Sequence, residues 1–181
     1  LLFFVIYIVA SLIGLVIPYI GQMATSIYIL PALTAGIAIY CYYLDYGVDN
    51  DFAVIFSMFR NFLPIITANV IVMTLLLLTF MPLRGDLIGI TEAMQSGMID
   101  PEELNQLIQD IPKAKLLITV GLYAIVNFIF VFVNYFIGLY NLSGIQSIVY
   151  SLQFVFRKFP ILFVYFIISA IIAFSGVFLF G

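Results

Sequence analysis

The fold of this protein is decided by residues 116–156, LLITVGLYAIVNFIFVFVNYFIGLYNLSGIQSIVYSLQFVF, which contain no charged side chain over 41 positions. A helix crosses the roughly 30 Å hydrocarbon core of a bilayer with about 20 apolar residues. The apolar run continues to about Tyr140, and Ser143-Gly144 then breaks the pattern. The stretch therefore predicts a transmembrane helix followed by a second, different helix.

The whole chain shares this apolar character, since 65% of its 181 residues are hydrophobic and only 8% are charged. Soluble domains are about 45–50% apolar and about 25% charged. Folded in water, the chain would expose large apolar patches, because its charged residues are too few to cover the surface. We therefore predict an all-α fold, a polytopic integral membrane helical bundle.

The residue inventory excludes several kinds of function. The chain has no His and a single Cys, so a Ser-His-Asp triad cannot be built and zinc lacks its usual ligands. The net charge is −3 and no basic residues cluster, which argues against a nucleic-acid partner. We predict no catalytic residue, no cofactor and no metal site.

Five visible spans are predicted from the charge-free runs and the residues that interrupt them. Pro18 and Gly21 mark a turn in the first run, residues 1–44, which is too long for one crossing. The chain opens on Leu1 without an initiator Met, so we expect that the full chain has an earlier start and six spans. The visible spans are expected near residues 2–20, 22–44, 62–82, 114–140 and 160–180.

Two shorter segments each carry one apolar stripe, which is typical of an amphipathic helix lying in the membrane interface. The first follows Asp51, the expected N-cap, and ends at Arg60, whereas the second occupies residues 145–158. The first stripe contains Phe52, Ile55, Phe56 and Phe59, and the second contains Ile145, Ile148, Val149, Leu152 and Phe156.

The residues Arg60, Arg157 and Lys158 end these segments as interfacial basic corners, and we expect all three on one face of the membrane. Three other basic residues lie on the opposite face (Arg84, Lys113 and Lys115), so the positive-inside rule gives a tie. We expect the face with the amphipathic helices to be cytoplasmic, because basic interfacial helices favour the anionic inner leaflet.

The two segments are also related by an internal repeat. Phe59-Arg60 followed by Phe62 matches Phe156-Arg157 followed by Phe159 at the same spacing. With the acidic loop before the first copy and the proline after each, this order resembles uncharacterised prokaryotic multi-pass membrane proteins akin to the glycerophosphodiester phosphodiesterase membrane domain. The resemblance covers about residues 22–180 and implies a six-helix membrane fold. It implies no catalytic residue, since phosphodiesterase activity in that group belongs to a separate soluble domain, and this chain departs by its acidic insert at 83–115.

That insert predicts an extramembrane helical hairpin over residues 83–113, which hold six of the nine acidic residues. Asp100-Pro101-Glu102-Glu103 is a strong helix start, and an apolar stripe follows from Leu104 to Ile111. One interpretation is a solvated cap packed on its own spans. The other is a docking surface for a partner protein at Glu102, Glu103 and Asp110.

Two further features have alternative interpretations. Pro31 lies inside the second span and predicts a kink, either purely structural or a gating hinge. Asp45, Asp49 and Asp51 could suggest a cation site, although their spacing does not fit an EF-hand loop.

Apart from Lys115 at the very start of the span near 114–140, no charged residue falls within a predicted span, which argues against ion-coupled transport. The neutral polar residues that remain include Asn69, Asn127, Asn134 and Tyr135. Asn127 and Asn134 are seven positions apart and are expected on one helix face, with Asn69 as the partner from a facing helix. These residues either join the helices by hydrogen bonds or line a polar pocket.

The sequence thus favours a non-enzymatic integral membrane protein acting as a membrane subunit or scaffold for partner proteins. The alternative is a permease or lipid-handling protein with a neutral or lipid-like ligand in the asparagine pocket, and a membrane enzyme is the least favoured class. We expect the lipid bilayer, other membrane subunits or a homo-oligomer as partners. The expected location is a cell membrane, most simply the cytoplasmic membrane of a prokaryote.

Overall fold

The computed structural model describes residues 20–49, 51–95 and 101–180, and within these ranges all regular structure is helical. The predicted span near residues 2–20 and the predicted cap Asp100 lie outside the described residues. The α-helices are α1 (Ile20–Ala24), α2 (Leu30–Asp45), α3 (Phe62–Leu78), α4 (Arg84–Gln95), α5 (Pro101–Gln109), α6 (Lys113–Phe130), α7 (Val133–Tyr140) and α8 (Gly144–Phe180). A π-helix (Thr25–Ile29) joins α1 to α2, and 3₁₀-helices occupy Phe52–Arg60 and Met81–Leu83.

In the part of the chain that the structure describes, three helical stretches are long and apolar enough to cross a membrane: Ile20–Asp45, Lys113–Tyr140 and Gly144–Ile168. A fourth candidate joins Phe52–Arg60 to Phe62–Leu78, which meet at an angle of 77°. The first two stretches agree with the predicted spans near 22–44 and 114–140. An all-helical protein with several membrane-length helices is therefore confirmed, whereas the count of five spans stays a prediction.

The end of the chain differs from the predicted interfacial helix and separate span. Gly144–Phe180 is one helix, and its interruption is at Lys158, where φ is −109° and ψ is 15°. Two residues later Pro160 lacks an N–H group, and its ring clashes with the carbonyl four residues earlier. The proline thus bends the helix close to the predicted boundary, but no loop separates the two parts.

The second predicted span contains an irregularity before Pro31. Thr25–Ile29 form a π-helix, in which the Leu30 N–H donates to the Thr25 carbonyl. A π-turn holds one more residue than an α-turn, and such turns often accompany a local break in the helical bonding. Tyr28 of this turn packs against the core, and its hydroxyl donates to the Phe59 carbonyl at 2.6 Å. The disturbance that Pro31 predicts is thus a widened turn before the proline.

The core lies around α2, where small residues let backbones approach closely. Ala32 and Ala35 are fully buried. A Cβ added at Gly36 would overlap the backbone of Ile55, and one added at Gly138 would lie 2.7 Å from the Ala35 carbonyl oxygen. Lipid chains are as apolar as Leu side chains, so hydrophobicity does not by itself drive helices together in a membrane. Close packing of the backbones is needed instead, and small residues permit it.

The 3₁₀-helix Phe52–Arg60 runs antiparallel to the π-helix and α2. The Phe52 ring packs 5.8 Å from Tyr40, whereas the Phe59 ring packs 5.7 Å from Tyr28. The predicted cap is confirmed, since the Asp51 carboxylate accepts from the Ala53 N–H at 3.1 Å.

The apolar stripe predicted for this segment is partly wrong. Ile55 and Met58 are buried, whereas Phe56 is 46% exposed. A 3₁₀-helix has three residues per turn, so side chains three positions apart share a face. The stripe therefore follows a period of three, which brings Met58 into the core and turns Phe56 outward.

Helix α3 and the chain that follows it to the start of α4 run antiparallel to α7 and α6. Successive contacts pair Asn61 with Asn141, Asn69 with Asn134, Phe80 with Tyr123 and Asp86 with Lys115. Helix α8 returns along the same two helices, with Tyr150 against Phe136, Phe154 against Phe132 and Phe159 against Phe128. These pairings define a three-helix layer of α3, α6–α7 and α8, which α2 and the 3₁₀-helix cover near the α7 end.

The acidic segment contains α4 and α5, which contact each other. The Leu107 and Ile108 side chains of α5 are 40% and 48% exposed, so the predicted apolar stripe is largely uncovered by the described residues. A single ion pair, Lys115 to Asp86 at 2.8 Å, joins the start of α6 to α4 in the described part of the chain.

Candidate functional site

Two of the three predicted asparagines meet inside the helix layer. Asn69 lies on α3 and Asn134 on α7, and the Asn69 Nδ2 donates to the Asn134 Oδ1 at 2.9 Å. The Asn134 Nδ2 returns a longer bond of 3.4 Å to the Asn69 Oδ1. Asn69 is only 9% exposed. The predicted contact between Asn69 and the fourth span is therefore present, as a reciprocal amide pair that we name the asparagine bridge.

The bridge leaves little hydrogen-bonding capacity for a ligand. A side-chain amide offers two N–H donors and one acceptor oxygen. Asn69 directs its Nδ2 to both Asn134 and the Ile65 carbonyl, the latter at 2.8 Å, and its oxygen accepts from Asn134. Buried polar groups that satisfy one another stabilise helix contacts by about 0.6–2 kcal/mol in membranes. The geometry therefore resembles a helix-joining contact more than a binding pocket.

Asn127 does not join the bridge. Its Nδ2 donates to the Tyr123 carbonyl of its own helix at 3.0 Å, and the residue is exposed. The seven-residue spacing predicted one face only for a continuous helix, but α6 ends at Phe130 and α7 begins at Val133. At Phe132, between the two helices, the backbone has φ −90° and ψ −2°. Asn127 is thus exposed and bonded within its own helix, and the structure does not bring it to Asn69 as it does Asn134.

Sequence reasoning missed Ser151, which is tied to this break. Ser151 is fully buried on α8, and its hydroxyl donates to the Ile129 carbonyl at 2.7 Å. Carbonyls in the last turn of a helix lack an intrahelical partner. The serine thus supplies a donor where α6 stops. The break has neither Gly nor Pro, so no turn signal in the sequence could have located it.

Tyr135 lies apart from the asparagine bridge. It is 38% exposed, and its ring packs 6.0 Å from Phe132. Together with Leu139 it lines a groove on the side of α2, and neither Asn69 nor Asn134 lines that groove. The structure therefore separates the four predicted pocket residues into a bonded pair, an exposed Asn127 and a groove-lining Tyr135.

The basic corners coincide with two helix interruptions. Asn61 follows Arg60 with φ −92° and ψ 51°, and Lys158 follows Arg157 with a similarly non-helical backbone. These two residues occupy the same position in the Phe-Arg-x-Phe repeat. The repeat therefore marks a break between two helical segments in both copies.

The sequence predicted both corners on one face of the membrane. In the structure they lie at different levels along the helix layer. Asn61 bonds Asn141, beyond the end of α7, at 3.0 Å. Phe159, beside Lys158, packs 5.9 Å from Phe128, which lies near the middle of Lys113–Tyr140. Gly144 to Arg157 covers about 20 Å at the rise of an α-helix. The corners differ in level because the first part of α8 packs along α6 and α7 instead of across their ends.

Two predicted features concern the remaining charged residues. Glu102, Glu103 and Asp110 are exposed on α5 or directly after it, as a docking surface requires. Among the described residues, no three His, Cys, Asp or Glu side chains are grouped so that they could hold a metal ion.

Comparison of the chain with protein-family models, curated proteins and solved structures finds no match. The resemblance to the glycerophosphodiester phosphodiesterase membrane domain therefore stays a prediction from the residue pattern.

Proposed function

We propose that this protein is a non-enzymatic, multi-pass subunit or scaffold of a prokaryotic cytoplasmic membrane. The observation that carries the proposal is the uneven packing of its membrane-length helices. In the most apolar part of Ile20–Asp45, one third of the residues are buried inside the protein. The corresponding fraction is 11% in Lys113–Tyr140 and 11% in Gly144–Ile168. Two helices thus contribute one face to the fold and leave most of their surface to other molecules.

The exposed surface of α6 is strongly apolar. Leu117 is 79% exposed, Val120 65% and Ile125 56%. Contiguous apolar surface of this kind is unfavourable in water and is suited to lipid chains or to the helices of another membrane protein. The surface therefore supports a membrane location and leaves room for a partner subunit or a second copy of the chain.

The asparagine bridge and the acidic helix support the same proposal. Asn69 and Asn134 bond each other and so act within the fold. Glu102, Glu103 and Asp110 extend from the membrane-length helices on α5, where a soluble partner domain or subunit could reach them. The alternative, a permease or lipid-handling protein with its ligand at Asn69, Asn127, Asn134 and Tyr135, has less support because the four residues do not surround one cavity.

Native mass spectrometry of the protein, extracted gently from its own membrane, tests the proposal. We expect additional protein subunits, or further copies of the chain, in a fixed stoichiometry. The variant Leu117→Gln places a polar group on the exposed face of α6 and should reduce the association with these subunits or copies. The matched control Thr91→Gln on α4 should leave it unchanged. A monomer that retains one small metabolite in fixed stoichiometry would contradict the subunit proposal and favour the permease.

A further inference from the structure

A groove of about 650 Å³ lies between α2 and α7, away from the asparagine bridge. It is open to the outside, and its walls are formed by the end of α2 and one face of α7. The residues that line it are Ile37, Ala38, Cys41, Tyr42, Leu44, Asp45, Tyr135 and Leu139. The groove is thus mostly apolar, with one tyrosine and one carboxylate from the end of α2 and a second tyrosine, Tyr135, from α7.

The polar end of the groove is built by the helix spacing. Tyr42 lies three positions before Asp45, so the two side chains share a face of the last turn of α2. Tyr46, the residue that follows α2, packs its ring 4.6 Å from the Tyr42 ring. The Tyr42 ring and the Asp45 carboxylate therefore lie on one face where α2 ends, and the Tyr46 ring supports that of Tyr42.

The backbone after α2 fixes this arrangement. The Val48 N–H donates to the Tyr43 carbonyl at 3.0 Å, and the Gly47 N–H donates to the Leu44 carbonyl at 3.1 Å. Gly47 has φ +66°, the left-handed conformation that this helix-ending motif requires. The chain thus leaves α2 through a closed turn that keeps Tyr46 next to Tyr42.

The charge of this end is suited to a cation. In the described part of the chain Asp45 makes no ion pair, and it lies at the negative end of the α2 dipole. Tyrosine faces attract organic cations with about 0.5–2 kcal/mol, and ammonium groups caged by aromatic rings are a common result. A single carboxylate with apolar walls is a poor site for a metal ion, which needs several oxygen ligands.

We propose that this groove binds a phospholipid with an ammonium headgroup, of the phosphatidylethanolamine class. The ammonium lies between Asp45 and the Tyr42 ring, and an acyl chain lies along Ile37, Ala38 and Leu139. A lipid is favoured over a soluble amine because the apolar wall continues from the polar end along a membrane-length helix. Tyrosines at the end of such a helix are typical of the headgroup level.

Cys41 provides the assay, because it is the single cysteine of the chain, is exposed, and lines the groove. The purified protein in a neutral detergent is titrated with phosphatidylethanolamine, or with phosphatidylglycerol carrying the same acyl chains. The rate of Cys41 alkylation by N-ethylmaleimide is then compared with the rate without lipid. We expect phosphatidylethanolamine to slow alkylation about threefold more than phosphatidylglycerol, the ratio that one exposed cation contact provides.

Two variants and one matched control test the residues. Asp45→Asn keeps the shape and removes the charge, so the difference between the two lipids should disappear. Tyr42→Leu keeps an apolar wall and removes the ring, and should reduce the difference. Asp49→Asn removes an exposed carboxylate outside the groove and should leave it unchanged. Comparing rates with and without lipid within each variant cancels any direct effect of the substitution on the thiol.

Three results would overturn the proposal. The first is equal protection of Cys41 by the two lipids in the unmodified protein. The second is an Asp45→Asn variant that elutes as a folded species and retains the lipid preference. The third is full protection by ethanolamine alone, which would identify a soluble amine as the ligand.

Discussion

The packed region around α2 and the open region formed by α6 are both apolar, yet they bury very different fractions of their surface. On α2, Gly36 meets the Ile55 backbone, Ala35 lies against Gly138, and Ala32 is fully buried. On α6 most of the apolar residues are large, and Thr119 is buried. An apolar side chain is equally favourable against lipid and against another apolar helix, so hydrophobicity alone does not select the helix that is buried. Side-chain size therefore decides which apolar helix becomes the core and which faces outward.

The largest expected effect breaks the packed region at Gly36. The variant Gly36→Ala places a methyl group against the Ile55 backbone, which cannot move aside as a flexible side chain can. We expect a loss of about 3 kcal/mol or more in the free energy of unfolding. Thermal unfolding in detergent measures the loss, together with the fraction of folded protein after gel filtration.

The matched control lies in the open region. A Cβ added at Gly121 on α6 meets nothing within 4 Å. Gly121→Ala should therefore be neutral or raise stability by up to about 1 kcal/mol through helix propensity. Equal destabilisation by both variants would show that close packing does not distinguish the two regions.

The second comparison uses the two asparagines of the fourth predicted span. Asn134→Leu leaves the buried Asn69 with an unsatisfied acceptor and should cost about 1–2 kcal/mol. Asn127→Leu removes a bond to its own helix on an exposed face and should change stability by less than about 0.5 kcal/mol. The variant Asn69→Leu/Asn134→Leu should be less destabilised than the sum of the single variants. Additive effects would contradict the asparagine bridge.

A smaller effect is expected where α6 ends. Ser151 and Ser147 are both fully buried, but Ser151 donates to Ile129 on another helix and Ser147 to Gly144 on its own. Ser151→Ala should cost about 1 kcal/mol, since the Ile129 carbonyl loses its donor. Ser147→Ala should cost less than half of that in the same unfolding assay. The reverse order would remove the role assigned to the serine at the break.

The smallest effect is expected at the ion pair that joins α4 to α6. The Lys115 and Asp86 side chains are 42% and 24% exposed, so water and salt weaken their attraction. Lys115→Met should cost less than about 1 kcal/mol, and the cost should decrease as salt is added. Lys113→Met serves as the control, because Lys113 forms no ion pair with a described residue. A cost that does not change with salt would contradict an electrostatic contact.

The sequence predicts the helices well and their interruptions less well. Lengths of apolar runs locate Ile20–Asp45 and Lys113–Tyr140, whereas Gly144–Ile168 joins residues predicted as an interfacial helix and the start of a separate span. The Asp51 cap and the contact between Asn69 and Asn134 are also predicted. The break at Val131-Phe132 is missed because no Gly or Pro marks it. The exposure of Phe56 is missed because the row of apolar residues does not show that Phe52–Arg60 forms a 3₁₀-helix, which has three residues per turn.

The levels of the basic residues show a second limit of sequence reasoning. Arg60 and Arg157 belong to matching motifs, and both motifs form breaks. Their different positions along the helix layer depend on how α8 packs against α6 and α7, which is tertiary information. A local pattern therefore predicts where a helix is interrupted but not the level at which the interruption lies.

The central claim is that α6 turns an apolar face to lipid while one face of α2 packs inside the protein. Spin labels test it most directly, attached to cysteines introduced as Leu117→Cys or Leu33→Cys in a Cys41→Ser background and reconstituted in a bilayer. Leu33 is 3% exposed and Leu117 is 79% exposed. We predict a mobile label at 117 that is accessible to oxygen and shielded from a water-soluble nickel complex, and an immobile label at 33. A label at 117 that collides as often with the nickel complex as with oxygen would contradict the account.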